Sequence, residues 1–147
     1  MNVVLISSSA EGKDNVMTAA WCFPLSAEPP LFGVSISQKR YSHGLIKKSG
    51  EFVINIPGSG LMEAVRICGE NSGRDSDKFE LAGLTKENSE KVAAPSIKEC
   101  IASIECKVVN SLETGDHVIF VGEAVNVKNR GIGKRIIQDE RGELKEF

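Results

Sequence analysis

The sequence has few cysteines, no long apolar run and no block of basic residues, and each shortage excludes a class of protein. The four cysteines are too few and too widely spaced for a disulfide scaffold or for a zinc site built from two Cys-x-x-Cys pairs. No apolar run approaches the roughly 20 residues that span a bilayer, and the N-terminus lacks a signal-peptide pattern. We therefore expect no metal site, no membrane partner and a reducing, cytoplasmic location.

The charge balance argues against a nucleic-acid partner. Eighteen Lys and Arg residues face twenty Asp and Glu residues, which leaves a net charge of -2. No basic stripe or interleaving of aromatic and basic residues provides an electrostatic footprint for a phosphate backbone. The 147 residues fit one domain, 1–147, which is long enough to bury a substantial core.

The hydrophobic pattern predicts many strands and only short helices. Alternating or continuous apolar runs indicate strands, and helical spacing between a Ser cap and a Gly stop indicates a helix. The predicted strands are 3–6, 15–21, 31–37, 52–56, 97–110, 117–127 and 135–138, and the predicted helices are 42–49 and 61–67. Long loops are predicted after residue 21 and over 85–94, Gly122 predicts a bend or a close approach, and the charged C-terminal end is expected to fray.

These elements predict a mainly β fold. Parallel doubly wound sheets need longer helical crossovers than this sequence contains, so a small antiparallel barrel with short flanking helices is the better interpretation. A barrel that does not close completely can finish its burial by dimerising.

Residues 68–79 place small, hydroxyl and cationic side chains between apolar segments and form a candidate anion site. Ser72 and Gly73 provide a hydroxyl and a backbone that turns sharply, so consecutive amides can point into one concavity. Arg74 and Lys78 add positive charge, and a phosphate monoester suits such a site. The alternative is a polar connecting loop whose two cations pair with the carboxylates at 70, 75, 77 and 80.

A second candidate anion site lies at the start of the first predicted helix. Ser42 is predicted to be the N-cap, and Arg40 precedes it, so free amides, a hydroxyl and a guanidinium can converge on an anion. The alternative is an ordinary capped helix with a solvated arginine.

Several motifs in order resemble the flavin reductase-like FMN-binding proteins of the split β-barrel class. About 110 residues are covered, which makes the match far more specific than any single motif. The motifs are 15–21 (NVMTAAW), 30–36 (PLFGVSI) with Arg40 and Ser42, 50–57 (GEFVINIP), 72–79 (SGRDSDKF) with 83–85 (GLT), and 115–123 (GDHVIFVGE).

The resemblance implies an antiparallel, Greek-key-like split barrel that binds FMN at a homodimer interface. The isoalloxazine ring would lie against the segment Asn15, Val16, Met17 and Thr18. The ribityl chain and the phosphate would be held by Ser35, Arg40, Ser42, Ser72, Gly73, Arg74 and Lys78. His117 would lie near the ring and orient the nicotinamide or stabilise reduced flavin. The alternative role for His117 is that of a turn residue at the Asp116 corner.

The implied activity is that of an FMN-dependent oxidoreductase, with hydride passing from NADH or NADPH to FMN and onward to free flavin, ferric iron or a protein. Two alternatives stay open, namely an FMN-binding electron carrier without enzymatic activity and a barrel that has lost flavin binding. The chain is shorter at the C-terminus than many members of this family. In those members the additional segment often lines the nicotinamide side of the flavin, so the difference bears on the use of NADH or NADPH more than on FMN binding. Cys22, without a nearby partner cysteine, is expected to act as a small buried hydrophobe.

Overall fold

A computed structural model of the chain describes residues 1–147, and antiparallel strands dominate it. The strands are β1 (Val4–Ala10), β2 (Lys13–Ala19), β3 (Cys22–Ser26), β4 (Leu31–Ser37), β5 (Glu51–Ile56), β6 (Lys86–Glu87), β7 (Ser96–Ile97), β8 (Ala102–Thr114), β9 (His117–Asn129), β10 (Ile136–Gln138) and β11 (Leu144–Glu146). The helices are α1 (Tyr41–Ser49), α2 (Met62–Glu70) and α3 (Lys78–Leu81), and a 3-10 turn spans Ser59–Leu61. The predicted mainly β class with short helices is confirmed. No helix has the length and apolarity required to cross a membrane.

Seven strands form one sheet in the order β2-β1-β5-β8-β9-β4-β3, and every pair within it is antiparallel. The sheet curls on itself, because Met17 of β2 and Val34 of β4 lie in the same buried cluster although their strands do not pair. Ile46 of α1 joins this cluster. The result is an incomplete barrel with a gap between β2 and β4.

β8 and β9 form a long antiparallel hairpin, in the region where the sequence predicts the strands 97–110 and 117–127. Gly115 forms its tight turn with a φ of 64°. Side chains of β9 alternate between buried and half-buried from His117 to Gly122. A Cβ at Gly122 would lie 2.6 Å from Phe52 Cζ, so glycine lets β9 approach the core closely, which confirms the prediction for this position.

A second apolar cluster covers the outer face of β1 and β2. Val65 of α2, Phe79 of α3 and Ile136 of β10 contribute fully or nearly fully buried side chains. A buried amide connects this layer to the sheet. The Nδ2 of Asn55 donates to the Leu5 carbonyl at 3.1 Å, and its Oδ1 accepts from the Ile97 amide at 3.0 Å.

Three predicted loops contain regular structure. The loop after residue 21 holds β3, where Pro24 is tolerated because β3 is the last strand of the sheet and its outer edge needs no donor. The surface excursion 85–94 contains β6 and buries Val92 and Ala94 against Val53. The charged C-terminal end forms β11, which pairs with β10 instead of fraying.

Other elements also differ from the prediction. The predicted strand 97–110 is split, because β7 ends at Ile97 and a turn separates it from β8, which begins at Ala102. The helix predicted for 61–67 continues to Glu70, so the first residues of the 68–79 stretch are helical. The short helix α3 was missed, although Asp77 caps it by accepting hydrogen bonds from the amides of Phe79 and Glu80.

Candidate functional site

Two recesses meet beside β2. The first, which we call the cradle, has a volume of about 150 Å³ and lies between β2, the start of α1 and the chain that follows α2. The second, which we call the cleft, has a volume of about 600 Å³ and spans the gap between β2 and β4. Met17, Thr18, Lys39 and Arg40 line both, so the two recesses form one continuous depression.

The cradle brings together the two candidate anion sites. Residues 40–42 and 72–78 are separated by about thirty positions in sequence but line the same recess. The predicted residues found there are Asn15, Met17, Thr18, Arg40, Ser42, Ser72, Gly73, Arg74 and Lys78.

The charge of the cradle is one-sided. Its lining contains the cations Lys39, Arg40, Arg74 and Lys78 and no carboxylate. None of these four side chains forms an ion pair anywhere in the structure. The alternative of a loop whose cations pair with neighbouring carboxylates is therefore wrong. A recess lined by unpaired cations strongly favours an anionic ligand.

Lys78 lies at the floor of the cradle and is only 4% exposed. Its Nζ donates a hydrogen bond of 2.9 Å to the Cys68 carbonyl, near the C-terminal end of α2, where a cation is favourable. Burial, together with the positive charge of Arg40, lowers the pKa of Lys78 to about 8. An anion bound beside this buried ammonium would stabilise its charged form.

The start of α1 forms one wall, but Ser42 does not cap it. Arg40 occupies the N-cap position and makes no side-chain hydrogen bond to the helix amides, so the prediction for Ser42 is wrong. Ser42 lies one residue inside the helix, and its hydroxyl accepts a 2.9 Å hydrogen bond from Asn15 Nδ2. Because no side chain caps α1, its first amides are available to a ligand.

The opposite wall is residues 71–77, which join α2 to α3 and which we call the strap. Gly73 lies against Asn15 and Tyr41, and a Cβ at this position would lie 2.7 Å from Tyr41 Cδ1 and closer still to the Asn15 amide. The Arg74 guanidinium donates a 3.0 Å hydrogen bond to the Lys39 carbonyl and lies 5.5 Å from the centre of the Tyr41 ring. The strap is thereby fixed to the start of α1.

Two predicted residues of β2 have little freedom to contact a ligand through their side chains. Val16 is fully buried in the second apolar cluster, so only its backbone can face a ligand. The Thr18 hydroxyl donates a 2.6 Å hydrogen bond to the Val65 carbonyl and thus connects β2 to α2.

Ser35 and His117 lie in the cleft, away from the cradle. His117 Nδ1 lies 2.6 Å from Asp116 Oδ1, and this hydrogen bond lowers the pKa of Asp116. The centre of the imidazole ring lies 4.8 Å from that of the Trp21 ring, at an interplanar angle of 42°, and its Nε2 has no partner within the chain. The predicted Asp116 corner therefore exists, and His117 also faces the cleft.

Several lining residues were not anticipated from the sequence. In the cradle they include Lys39 and Tyr41, and in the cleft they include Ser37, Gln138 and Leu144. The first two flank Arg40 in sequence and could have been included with it. Gln138 and Leu144 enter only because the β10 and β11 hairpin folds back beside β2, which no local pattern indicates.

The cysteines are not candidates for catalysis. All four thiols are free, and burial raises the pKa of Cys22 to about 12. Cys22 packs against the main apolar cluster as a protonated side chain. No group of His, Cys, Asp and Glu side chains is arranged to hold a metal ion.

Relatives with similar sequences have been found in archaea. A protein of Archaeoglobus fulgidus described only as uncharacterised is 50% identical over 127 residues, which is 86% of this chain and 71% of the relative. A ferric-chelate reductase (NAD(P)H) of the same organism is 27% identical over 125 residues, 84% of this chain and 73% of that protein. An uncharacterised protein of Aeropyrum pernix is 34% identical over 122 residues, which is 82% of this chain but 46% of that protein.

Solved structures with this fold include flavin proteins. Flavoredoxin of Desulfovibrio vulgaris (Miyazaki F) superposes with a TM-score of 0.92 at 28% identity, over 99% of this chain and 86% of that one. An FMN-binding protein from Thermus thermophilus, solved with bound p-hydroxybenzaldehyde, gives a TM-score of 0.89 at 29% identity, over 99% and 85% of the two chains. A family model for the flavin reductase like domain matches residues 1–142. The chain therefore belongs to the flavin reductase-like domain family.

Proposed function

We propose that this protein is an FMN-dependent oxidoreductase that takes electrons from NADH or NADPH. The observation that carries this proposal is the cradle itself, where four cations without carboxylate partners open directly into a larger cleft. A ligand with an anionic end and a flat body matches this pair of recesses. The solved relatives that bind FMN or are flavoredoxins support the choice of flavin.

The donors of the cradle suit a phosphate monoester. Such a group carries a charge of about -1.5 to -2 and accepts hydrogen bonds on three oxygens. Arg40 and Lys78 would hold it through charge-assisted hydrogen bonds, and the uncapped amides at the start of α1 would add neutral donors. The Ser72 hydroxyl, which accepts from the Arg74 amide at 3.2 Å, still has a proton to donate.

The cleft residues would position the rest of the ligand. FMN, when bound, would accept a hydride from a nicotinamide and pass the electrons onward. Trp21 presents an aromatic surface that is 50% exposed, and Ser35 adds a hydroxyl to the cleft wall. Asp116 keeps the His117 ring in place through Nδ1, so that Nε2 can donate to or accept from a bound group. Orientation of this kind is the main protein contribution to hydride transfer.

The electron acceptor is either a small molecule or a protein. The resemblance to a ferric-chelate reductase favours a small acceptor such as chelated iron. The resemblance to flavoredoxin supports the second candidate function, an electron carrier that exchanges electrons only with protein partners.

Anaerobic reduction separates these candidates. The protein is reconstituted with FMN, freed of excess flavin and mixed with NADH or NADPH while the flavin absorbance is followed. We expect rapid bleaching with at least one of the two donors. Bleaching by dithionite alone would favour the electron carrier, and a failure to retain FMN would contradict the proposed function in both forms.

We also propose that the protein acts as a homodimer with the cleft at the subunit interface. Trp21, Phe23 and Leu25 are exposed apolar side chains at alternate positions. Phe23 and Leu25 lie in β3, at the unpaired end of the sheet, and Trp21 comes just before it. Strips of this kind at sheet edges are normally covered by a partner. Trp21 also lines the cleft, so a second copy seated there would border the flavin site.

Light scattering on the FMN-loaded protein tests the dimer. We expect twice the mass of the chain for the wild type and a shift toward monomer for Leu25→Glu, because a charge would be buried without a partner. Val109→Glu is the matched control, since Val109 is 52% exposed on β8, away from this strip. A monomeric wild type would contradict the proposal.

A further inference from the structure

The cradle is small for a nucleotide. Its volume of about 150 Å³ is well below the roughly 300–1,000 Å³ of sites that enclose whole drug-sized ligands. The cleft, at about 600 Å³, is large enough for a ring system. The cradle is therefore suited to one compact headgroup, and it leaves little room for a chain that continues beyond that group.

The strap forms the wall of the cradle opposite the start of α1, and it also contacts Asn15 of β2. Arg74 donates to the Lys39 carbonyl, which lies on the other wall, so this contact bridges the recess. The guanidinium also packs over Tyr41, and the absence of a Cβ at Gly73 lets the strap lie directly against Asn15 and Tyr41. The amides of Asp75 and Ser76 both donate to the Ser72 carbonyl, which makes the strap a tight turn.

We propose that the strap closes the outer end of the cradle and makes the site select a flavin ending in a phosphate monoester over one whose phosphate continues into an adenylate. Arg74 is the positioning residue, because its hydrogen bond to Lys39 and its contact with Tyr41 hold the strap down. This inference rests on the proposed function, since it concerns the same flavin site.

The physical reason combines charge and space. A terminal phosphate presents its full charge to Arg40 and Lys78, whereas a phosphate within a diphosphate bridge carries less charge and has fewer free oxygens. The adenylate would also need an exit from the cradle, and a strap held to the other wall by the hydrogen bond from Arg74 to the Lys39 carbonyl would block it. Opening the strap should therefore help a flavin with an adenylate more than one without it.

Equilibrium titrations with riboflavin, FMN and FAD test the proposal through flavin fluorescence. For the wild type we expect FMN to bind at least about tenfold more tightly than FAD, a difference of about 1.4 kcal/mol. Arg74→Ala should bring the ratio of the FMN and FAD dissociation constants close to one and leave riboflavin affinity unchanged. Gly73→Ala should also reduce the preference for FMN over FAD, but without removing a charge, because the new Cβ would push the strap away from Tyr41.

Arg66→Ala is the control for loss of an arginine, since Arg66 is exposed on α2 and does not line the cradle. The ratio of the FMN and FAD dissociation constants in Arg66→Ala should equal that of the wild type. If Arg74→Ala weakens FMN and FAD by the same factor, or if Gly73→Ala leaves the ratio unchanged, the strap does not select the ligand. Equal binding of FMN and FAD to the wild type would also overturn the inference. A wild type that binds no flavin would overturn the proposed function, and the inference with it.

Discussion

Lys78→Met is expected to weaken FMN binding by about 10- to 100-fold, because a hydrogen bond to a charged group contributes about 1.5–3 kcal/mol and each 1.4 kcal/mol is tenfold. Lys78 reaches the floor of the cradle and has no carboxylate partner that would reduce its attraction for a phosphate. Methionine keeps a flexible stem at this nearly buried position, so the fold should persist. Quenching of flavin fluorescence measures the affinity.

The matched control is Lys86→Met. The Lys86 ammonium lies 5.0 Å from the centre of the ring of Phe79, the residue after Lys78, and it pairs at 3.0 Å with Asp14, the residue before Asn15, but Lys86 lines no part of the cradle. We expect its FMN affinity to match that of the wild type. Riboflavin affinity should be equal in all three proteins, since riboflavin has no phosphate. Unchanged FMN affinity in Lys78→Met, with the fold intact by thermal denaturation, would refute the assignment of the cradle.

The parts of the fold that the sequence predicts well are those with local causes. The hairpin of β8 and β9 follows from alternation and from the turn at Gly115. The helix α1 ends at the predicted glycine, where Gly50 adopts a left-handed φ of 68°, and the cations Lys47 and Lys48 lie in its last turn, where the helix dipole favours positive charge. Each of these features depends on a few neighbouring residues, so a short window contains the necessary information.

The parts that the sequence does not predict have distant causes. A loop is predicted after residue 21, but β3 forms there, and it tolerates Pro24 because it lies at the end of the sheet, which only the strand order reveals. Leu144 appears in a charged segment, yet it lines the cleft because β11 pairs with β10. Positions of this kind depend on packing between elements that are far apart in the chain.

The candidate site shows the same division. The residue types of an anion site could be recognised separately around Arg40 and around Arg74, but their convergence depends on the curl of the sheet and on the contact of Gly73 with Tyr41. Ser42 is not the helix cap because α1 begins at Tyr41 with Arg40 at the N-cap position, and the Ser42 hydroxyl instead accepts a hydrogen bond from Asn15 Nδ2 of β2. Sequence rules pair a serine hydroxyl with a backbone group close to it in the chain, whereas in the folded protein the hydroxyl can pair with a residue that is distant in sequence.

The pH dependence of FMN binding provides a second test of the cradle, through the protonation of Lys78. Burial lowers the pKa of Lys78 to about 8, so in the empty site the ammonium loses its proton as the pH rises above that value. A bound phosphate favours the charged form and raises this pKa. Binding above pH 8 must therefore be accompanied by proton uptake, and proton uptake makes the affinity decrease as the pH increases.

We expect the FMN dissociation constant to rise about tenfold between pH 7 and pH 9, the amount that linkage to one proton with a pKa near 8 allows. The phosphate does not cause this change, because its second pKa of about 6 leaves it ionised throughout the range. Lys78→Arg is the matched control, since arginine stays charged and should give a flat profile. Riboflavin should show no such dependence in either protein. A flat wild-type profile, or an equal decrease in Lys78→Arg, would show that Lys78 does not hold the phosphate.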